Sequence, residues 1–145
     1  MGAGANGQIN LLPTNNTNVV IDITGYYAAP GSGRLSLHPV AGCRAVSALA
    51  FSQTTTLNIA GSSCKLPPAA KDYVLNGTIV PWFGYLGNLV FWANGTSQPG
   101  MTSLAGTDGS VVSNGAVVST TNGYINVNCQ NMTSLYVDIN AYFAP

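Results

Sequence analysis

One histidine and four aspartates are the only side chains in this sequence suited to acid–base work near neutral pH, and glutamate is absent. Concerted proton transfer needs such groups brought together. His38 stands between Leu37 and Pro39, and a Ser-His-Asp arrangement would have to recruit Asp22, Asp72, Asp108 or Asp138 from distant stretches. Nothing in the spacing does so, and no catalytic residue is assigned: the chain reads as a non-enzyme. The cysteine and histidine spacing of a zinc site is missing as well. Asp22 and Asp138, beside Thr24 and Asn140, could lend oxygens to calcium, but that ion takes six to eight, several of them from carboxylates. They read instead as solvated or backbone-capping aspartates. No metal and no cofactor is expected.

Cys43 and Cys64 stand 21 residues apart and flank a candidate strand pair, while Cys129 is left over. A Cys43–Cys64 disulfide would stabilise the fold by roughly 3 kcal/mol through loop closure, and would imply an oxidising compartment. That bond is the expectation, with Cys129 free or buried; the alternative is three reduced, buried cysteines in a cytosolic protein. Trp82, Tyr85 and Trp92, with Phe83, Asn88 and Asn94 nearby, could form an aromatic platform for sugar rings. Against this, Leu89-Val90-Phe91-Trp92 is apolar on both faces, as in a strand covered on both sides, which favours a core or subunit-contact cluster. Four Asn-x-Thr sequons, at Asn15, Asn76, Asn94 and Asn131, accept glycans only in a eukaryotic secretory route, and otherwise read as turn asparagines and strand threonines.

The elements that must position these residues are strands. In the last stretch, Leu135, Val137, Ile139 and Phe143 form one apolar row, while Asp138 and Asn140 point the other way. That period of two, rich in β-branched and aromatic residues, marks a half-buried strand. The chain uses the pattern twice. At an offset of 116, Gly7 to Ala29 aligns without a gap on Gly123 to Pro145, with nine identical residues in 23. The first copy's row is Val19, Ile21, Ile23 and Tyr27. Shorter strands over Gln8 to Leu12 and Tyr124 to Cys129 precede the long ones across a polar turn, so each copy reads as a hairpin. Cys129 aligns with Pro13, so the pattern does not require a cysteine there.

Between the copies, Ala28 to Gly33 is a Pro/Gly joint. Further strands are expected over Arg34 to Pro39, Ala45 to Phe51, Thr54 to Ile59, Lys71 to Pro81, Asn88 to Ala93, Met101 to Leu104, Ser110 to Val112 and Ala116 to Ser119. In Lys71 to Pro81, Tyr73, Leu75 and Ile79 face one side and Asn76 and Thr78 the other. No amphipathic helix is evident, and turn signals recur every 8 to 12 residues, the spacing of an antiparallel sandwich or barrel. The fold class is therefore all-β: a β-sandwich or barrel-like module of about eight to eleven short strands over residues 31–145. Residues 1–30 form an N-terminal hairpin and linker that duplicates the C-terminal hairpin.

Charged residues are only 6% of the chain, four cations against four anions, so a basic groove for nucleic acid is excluded as a reading. A surface polar through Asn, Ser, Thr and Gly but without net charge lacks the repulsion that keeps domains apart. No run of 18 apolar residues predicts membrane insertion, and the first residues lack the charged and apolar regions of a signal peptide.

Seven stretches in order resemble the modules found in tandem in large secreted bacterial surface proteins. They are Cys43-Arg44, Cys64-Lys65-Leu66-Pro67, Val74 to Pro81 (Val-Leu-Asn-Gly-Thr-Ile-Val-Pro), Leu86-Gly87-Asn88-Leu89, Ser103-Leu104, Asn114 to Val118 and Val137 to Phe143. The likeness spans 34–145. Two departures stand out: Ala45-Val46-Ser47-Ala48 replaces the Asp-Thr-Arg that commonly follows Cys-Arg, and Ala141 replaces a glycine kept as Gly25 in the first copy. The resemblance implies a β module without established chemistry, at or outside the cell surface.

Together these readings give an extracellular structural module whose partners are other copies of itself. Residues 7–28, through Val19, Ile21, Ile23 and Tyr27, would lie on the edge of their own sheet or complete a sheet in the next chain, giving a fibre. A carbohydrate-binding or adhesive module that contacts polysaccharide through the aromatic patch is the alternative.

Overall fold

The computed structural model describes residues 5–29 and 31–145. A short 3-10 turn, Ala5–Gly7, opens the chain, and six strands follow: β1 Ser36–Asn58, β2 Asp72–Pro81, β3 Gly87–Ala93, β4 Leu104–Gly106, β5 Val112–Ser119 and β6 Tyr124–Ala144. Every pairing is antiparallel, in the order β4-β3-β6-β2-β5, with β1 along the other side of β6. The fold is all-β, an antiparallel sheet nearly closed into a barrel.

The organising element is β6. Its first part pairs with β3, from Ala93↔Ile125 to Leu89↔Cys129, and its second part pairs with β2, from Pro81↔Thr133 to Asp72↔Phe143. The β3-β4 and β2-β5 pairs thus hang from two ends of one strand and close on each other over a shared core. Asn114 Nδ2 on β5 donates to the Ser103 carbonyl at 2.8 Å across the remaining gap. Ile59, Leu66 and Ala70, in the connection between β1 and β2, are buried in the same core.

The alternation expected for β6 and β2 is realised as far as Ile139; a bulge at Asn140 then turns Tyr142 toward the core and puts Phe143, expected in the inward row, opposite Asp72 on the outer face. Leu135, Val137 and Ile139 are fully buried on β6, as are Tyr73, Leu75 and Ile79 on β2, while Asp138, Asn140, Asn76 and Thr78 take the opposite face. Leu89 to Trp92 on β3 are buried on both faces, as their unbroken apolar run indicates. The inward row of β2 passes through Gly77, where a Cβ would stand 2.9 Å from Phe91 Cε2. The ring of Phe91 occupies the volume a side chain would need. Gly77→Val is therefore expected to cost about 1–3 kcal/mol by overpacking, read as a lower urea midpoint, with part of the loss recovered on adding Phe91→Leu.

Two sequence expectations are corrected. Among the described residues the strands are six, fewer and longer than eight to eleven, because neighbouring segments fuse. Arg34 to Pro39, Ala45 to Phe51 and Thr54 to Ile59 run together as β1, whose register against β6 slips at four places. Two of the four carry a non-glycine residue in the left-handed region, Ala48 (φ 52°) between Val46 and Leu49 and Gln53 (φ 64°) after Phe51. Likewise Tyr124 to Cys129 does not fold back on Ser134 to Phe143. Both lie on β6, and the polar residues between them form a bulged corner against Phe51 and Gln53 of β1. The second correction concerns the first copy of the repeat: residues 8–29 carry no strand. The position their pattern matches, between β1 and β2, is already filled by β6.

Candidate assembly site

The ionisable groups lie apart in roles of their own. His38 on β1 stacks its ring on Tyr142, centroids 5.0 Å apart and planes 12° from parallel. Asp72 accepts from Ser119 Oγ at 2.5 Å, and Asp108 accepts from the Ser110 amide at 3.0 Å, which holds its carboxyl below the ordinary range. On the outer face Arg44 grips Asp138 at both oxygens, Nε to Oδ1 at 2.7 Å and Nη2 to Oδ2 at 2.8 Å, with Arg44 also 5.1 Å from the Tyr136 ring centroid. The hydrogen bonds from Arg44 lower the Asp138 pKa and raise that of Arg44. Asp138 is therefore the anionic half of an ion pair and not a backbone cap. Among the described residues no three of His, Cys, Asp and Glu gather as a metal-binding group.

Cys43 and Cys64 are bonded, their Cα atoms 5.6 Å apart, and the bond ties the β1–β2 connection to β1. A disulfide is compatible with an oxidising, extracellular setting. Cys129 is free and buried on β6, its Sγ 3.1 Å from the Asn131 carbonyl oxygen, and burial pushes its thiol from 9.0 up to about 11. A raised folded-state value means the unfolded chain loses this proton first. The contribution of Cys129 to stability is complete below pH 9 and is lost as pH climbs toward 11. Melting temperatures across that window should fall more steeply for the natural chain than for Cys129→Ala. Parallel slopes would count against the buried thiol.

The aromatic platform does not assemble as three residues. Trp92 is only 8% exposed and its indole N–H donates to the Thr96 carbonyl at 3.1 Å, because β3 is covered on both faces. Trp82, 53% exposed, stands at the end of β2 with Phe83 and Tyr85 exposed beside it, and its indole N–H donates to Ser134 Oγ at 2.8 Å.

The segment 8–29 is the unusual feature. It exposes Ile9, Leu11, Leu12, Val19, Val20, Ile21, Ile23, Tyr26 and Tyr27, with Val19 at 53% and Ile23 at 84%. It lies against the sheet without being buried by it: the Tyr27 ring is 6.5 Å from that of Phe143, Thr24 to Ala28 line a cavity of about 370 Å³ with Asp72, Val117 and Phe143, and Asp22 and Thr24 reach the rim of one of about 530 Å³ beside β5. Among the described residues, 8–29 make no backbone hydrogen bond to the sheet. The sequence marks Val19, Ile21, Ile23 and Tyr27 as a strand row that duplicates the closing hairpin and so has no vacant equivalent place in its own module. It could not find the Arg44–Asp138 pair, whose members are 94 residues apart. No helix is long and apolar enough to cross a membrane among the described residues.

No protein-family model, no curated protein and no solved structure matches this chain.

Proposed function

We propose that this protein is a non-enzymatic structural module that works outside the cell or at its surface, and that it self-associates into a fibre or surface assembly by handing residues 7–28 to the next copy. The observation that carries this is a segment with the alternation of a buried strand whose nine large apolar side chains are exposed in its own chain. Fully burying a side chain such as Val or Ile is worth roughly 1.5–3 kcal/mol, so leaving this row in water forgoes a large stabilisation that a second copy can supply. Strand addition at a sheet edge supplies backbone hydrogen bonds as well, and a head-to-tail exchange does not close on itself. The absence of net charge removes a barrier to close packing of copies, and the resemblance to tandem surface modules fits the same role. Images of the purified chain over a range of concentrations should show ordered polymers, and removal of residues 1–30 should abolish them.

A second reading rests on the exposed Trp82, Phe83 and Tyr85: a carbohydrate-binding module that stacks these rings on sugar. Polysaccharide pull-down lost in Trp82→Ala, with assembly unchanged, would favour it.

A further inference from the structure

We infer that the free edge of β5 is where one copy receives the donor segment of the next, an inference that rests on the self-assembly reading above. The sheet leaves three strands with an unpaired side: β1, β4 and β5, each bonded to a single neighbour. A donor row built on Val19, Ile21 and Ile23 occupies the eight residues Asn18 to Gly25. β4 has three residues and is too short. β1 is long enough, but its register slips four times, and the connection carrying Cys64 lies against it, with Ser63 Oγ donating to the Arg44 carbonyl at 3.4 Å. Bulges and a covering loop are how sheet edges resist strand addition.

β5 has no register slip, and its edge is met by a side-chain bond, Asn114 to the Ser103 carbonyl, with no backbone pairing. Its eight residues pair with β2 one for one, from Asp72↔Ser119 to Ile79↔Val112, without a slip. On its other side lies the gap in the barrel, spanned by the Asn114 side chain bonded to the Ser103 carbonyl. The cavity of about 530 Å³ runs along this gap, with Phe91 and Met101 among its lining residues, and Val112 and Ala116 of the inward row of β5 are only half-buried. A strand laid here would pair its backbone with β5 and turn Val19, Ile21 and Ile23 toward the gap. Val20, Asp22 and Thr24 would then share the outer face with Val117, which is 37% exposed. In its own chain the segment lies beside β5, Asp22 and Thr24 at this cavity and Thr24 to Ala28 at a neighbouring one with Val117, but does not pair with it, so the backbone groups of the edge are left for another copy.

Disulfide trapping in the full-length chain tests the assignment. Val20→Cys, Asp22→Cys or Thr24→Cys, each combined with Val117→Cys, covers the neighbouring registers. One combination should give a ladder of covalent multimers on a non-reducing gel after oxidation, lost on reduction. Replacing Val117→Cys by Ser47→Cys on β1 should abolish the ladder. If polymers are seen in the microscope but trapping occurs only through Ser47→Cys, or through no pair, β5 is the wrong acceptor and the assembly reading stands. Ladders of equal yield from both edges would indicate random collision and overturn the assignment. Disulfides closed only within single chains would place the segment in its own module. A chain that stays monomeric at all concentrations would defeat the assembly reading, and this inference with it.

Discussion

Val137→Asp should leave the protein unfolded at room temperature, while Tyr136→Ser, one residue away, should leave it folded and cooperative. Val137 is fully buried at the centre of β6, between Val46 of β1 and Gly77 of β2. An aspartate there either buries an unpaired carboxylate or takes up a proton to avoid it, and each course costs several kcal/mol. The Val137 methyl packing is lost in addition. Against a total stability of about 5–15 kcal/mol for a domain of this kind, that is enough to remove most of the folded population. Tyr136 faces outward beneath the Arg44 guanidinium, 5.1 Å from its ring centroid. Losing an exposed contact of this sort costs about 0.5–1 kcal/mol, and Arg44 keeps both hydrogen bonds to Asp138. Far-UV circular dichroism and thermal melts on the two variants measure the contrast, and equal melting temperatures would place the strand in the opposite register.

Deleting residues 1–30 should give a monomer with the melting temperature of the intact chain and no capacity to polymerise. The first strand of the sheet is β1 at Ser36, so among the described residues the deletion removes no strand and no buried core residue. What it removes is the exposed apolar row, its contact with Phe143 and one wall of the two cavities beside β5. A synthetic peptide of residues 7–28 should bind the truncated protein, because truncation leaves the acceptor intact. Assemblies unchanged in the truncated chain would refute the donor role of the segment. A truncated chain that fails to fold would show that the segment supports its own module, contrary to its exposure here.

Residues whose surroundings are dictated by local alternation were readable without the fold. Tyr73, Leu75 and Ile79, and Leu135, Val137 and Ile139, lie inward because a pleated strand sends successive side chains to opposite faces and water selects which row is buried. The unbroken run Leu89 to Trp92 announced a strand covered on both sides by the same logic, and with it the burial that takes Trp92 out of the aromatic patch.

By itself, then, the sequence determined the all-β class, the inward rows of β2 and β6 and the two-sided burial of β3, since each follows from spacing along a few residues. It allowed the Cys43–Cys64 bond without requiring it. Tertiary structure alone decided that the polar corner after Cys129 bends one strand where a hairpin turn was expected, because β1 runs beside β6 on both sides of the bend and holds it in register. Tertiary structure also brought Arg44 to Asp138 across 94 residues of chain. Residues 7–28 stand between the two. Their duplication of the closing stretch implied that no equivalent place is vacant, and the structure shows the physical reason: β6, paired on both sides, occupies that place, and the first copy is left unpaired.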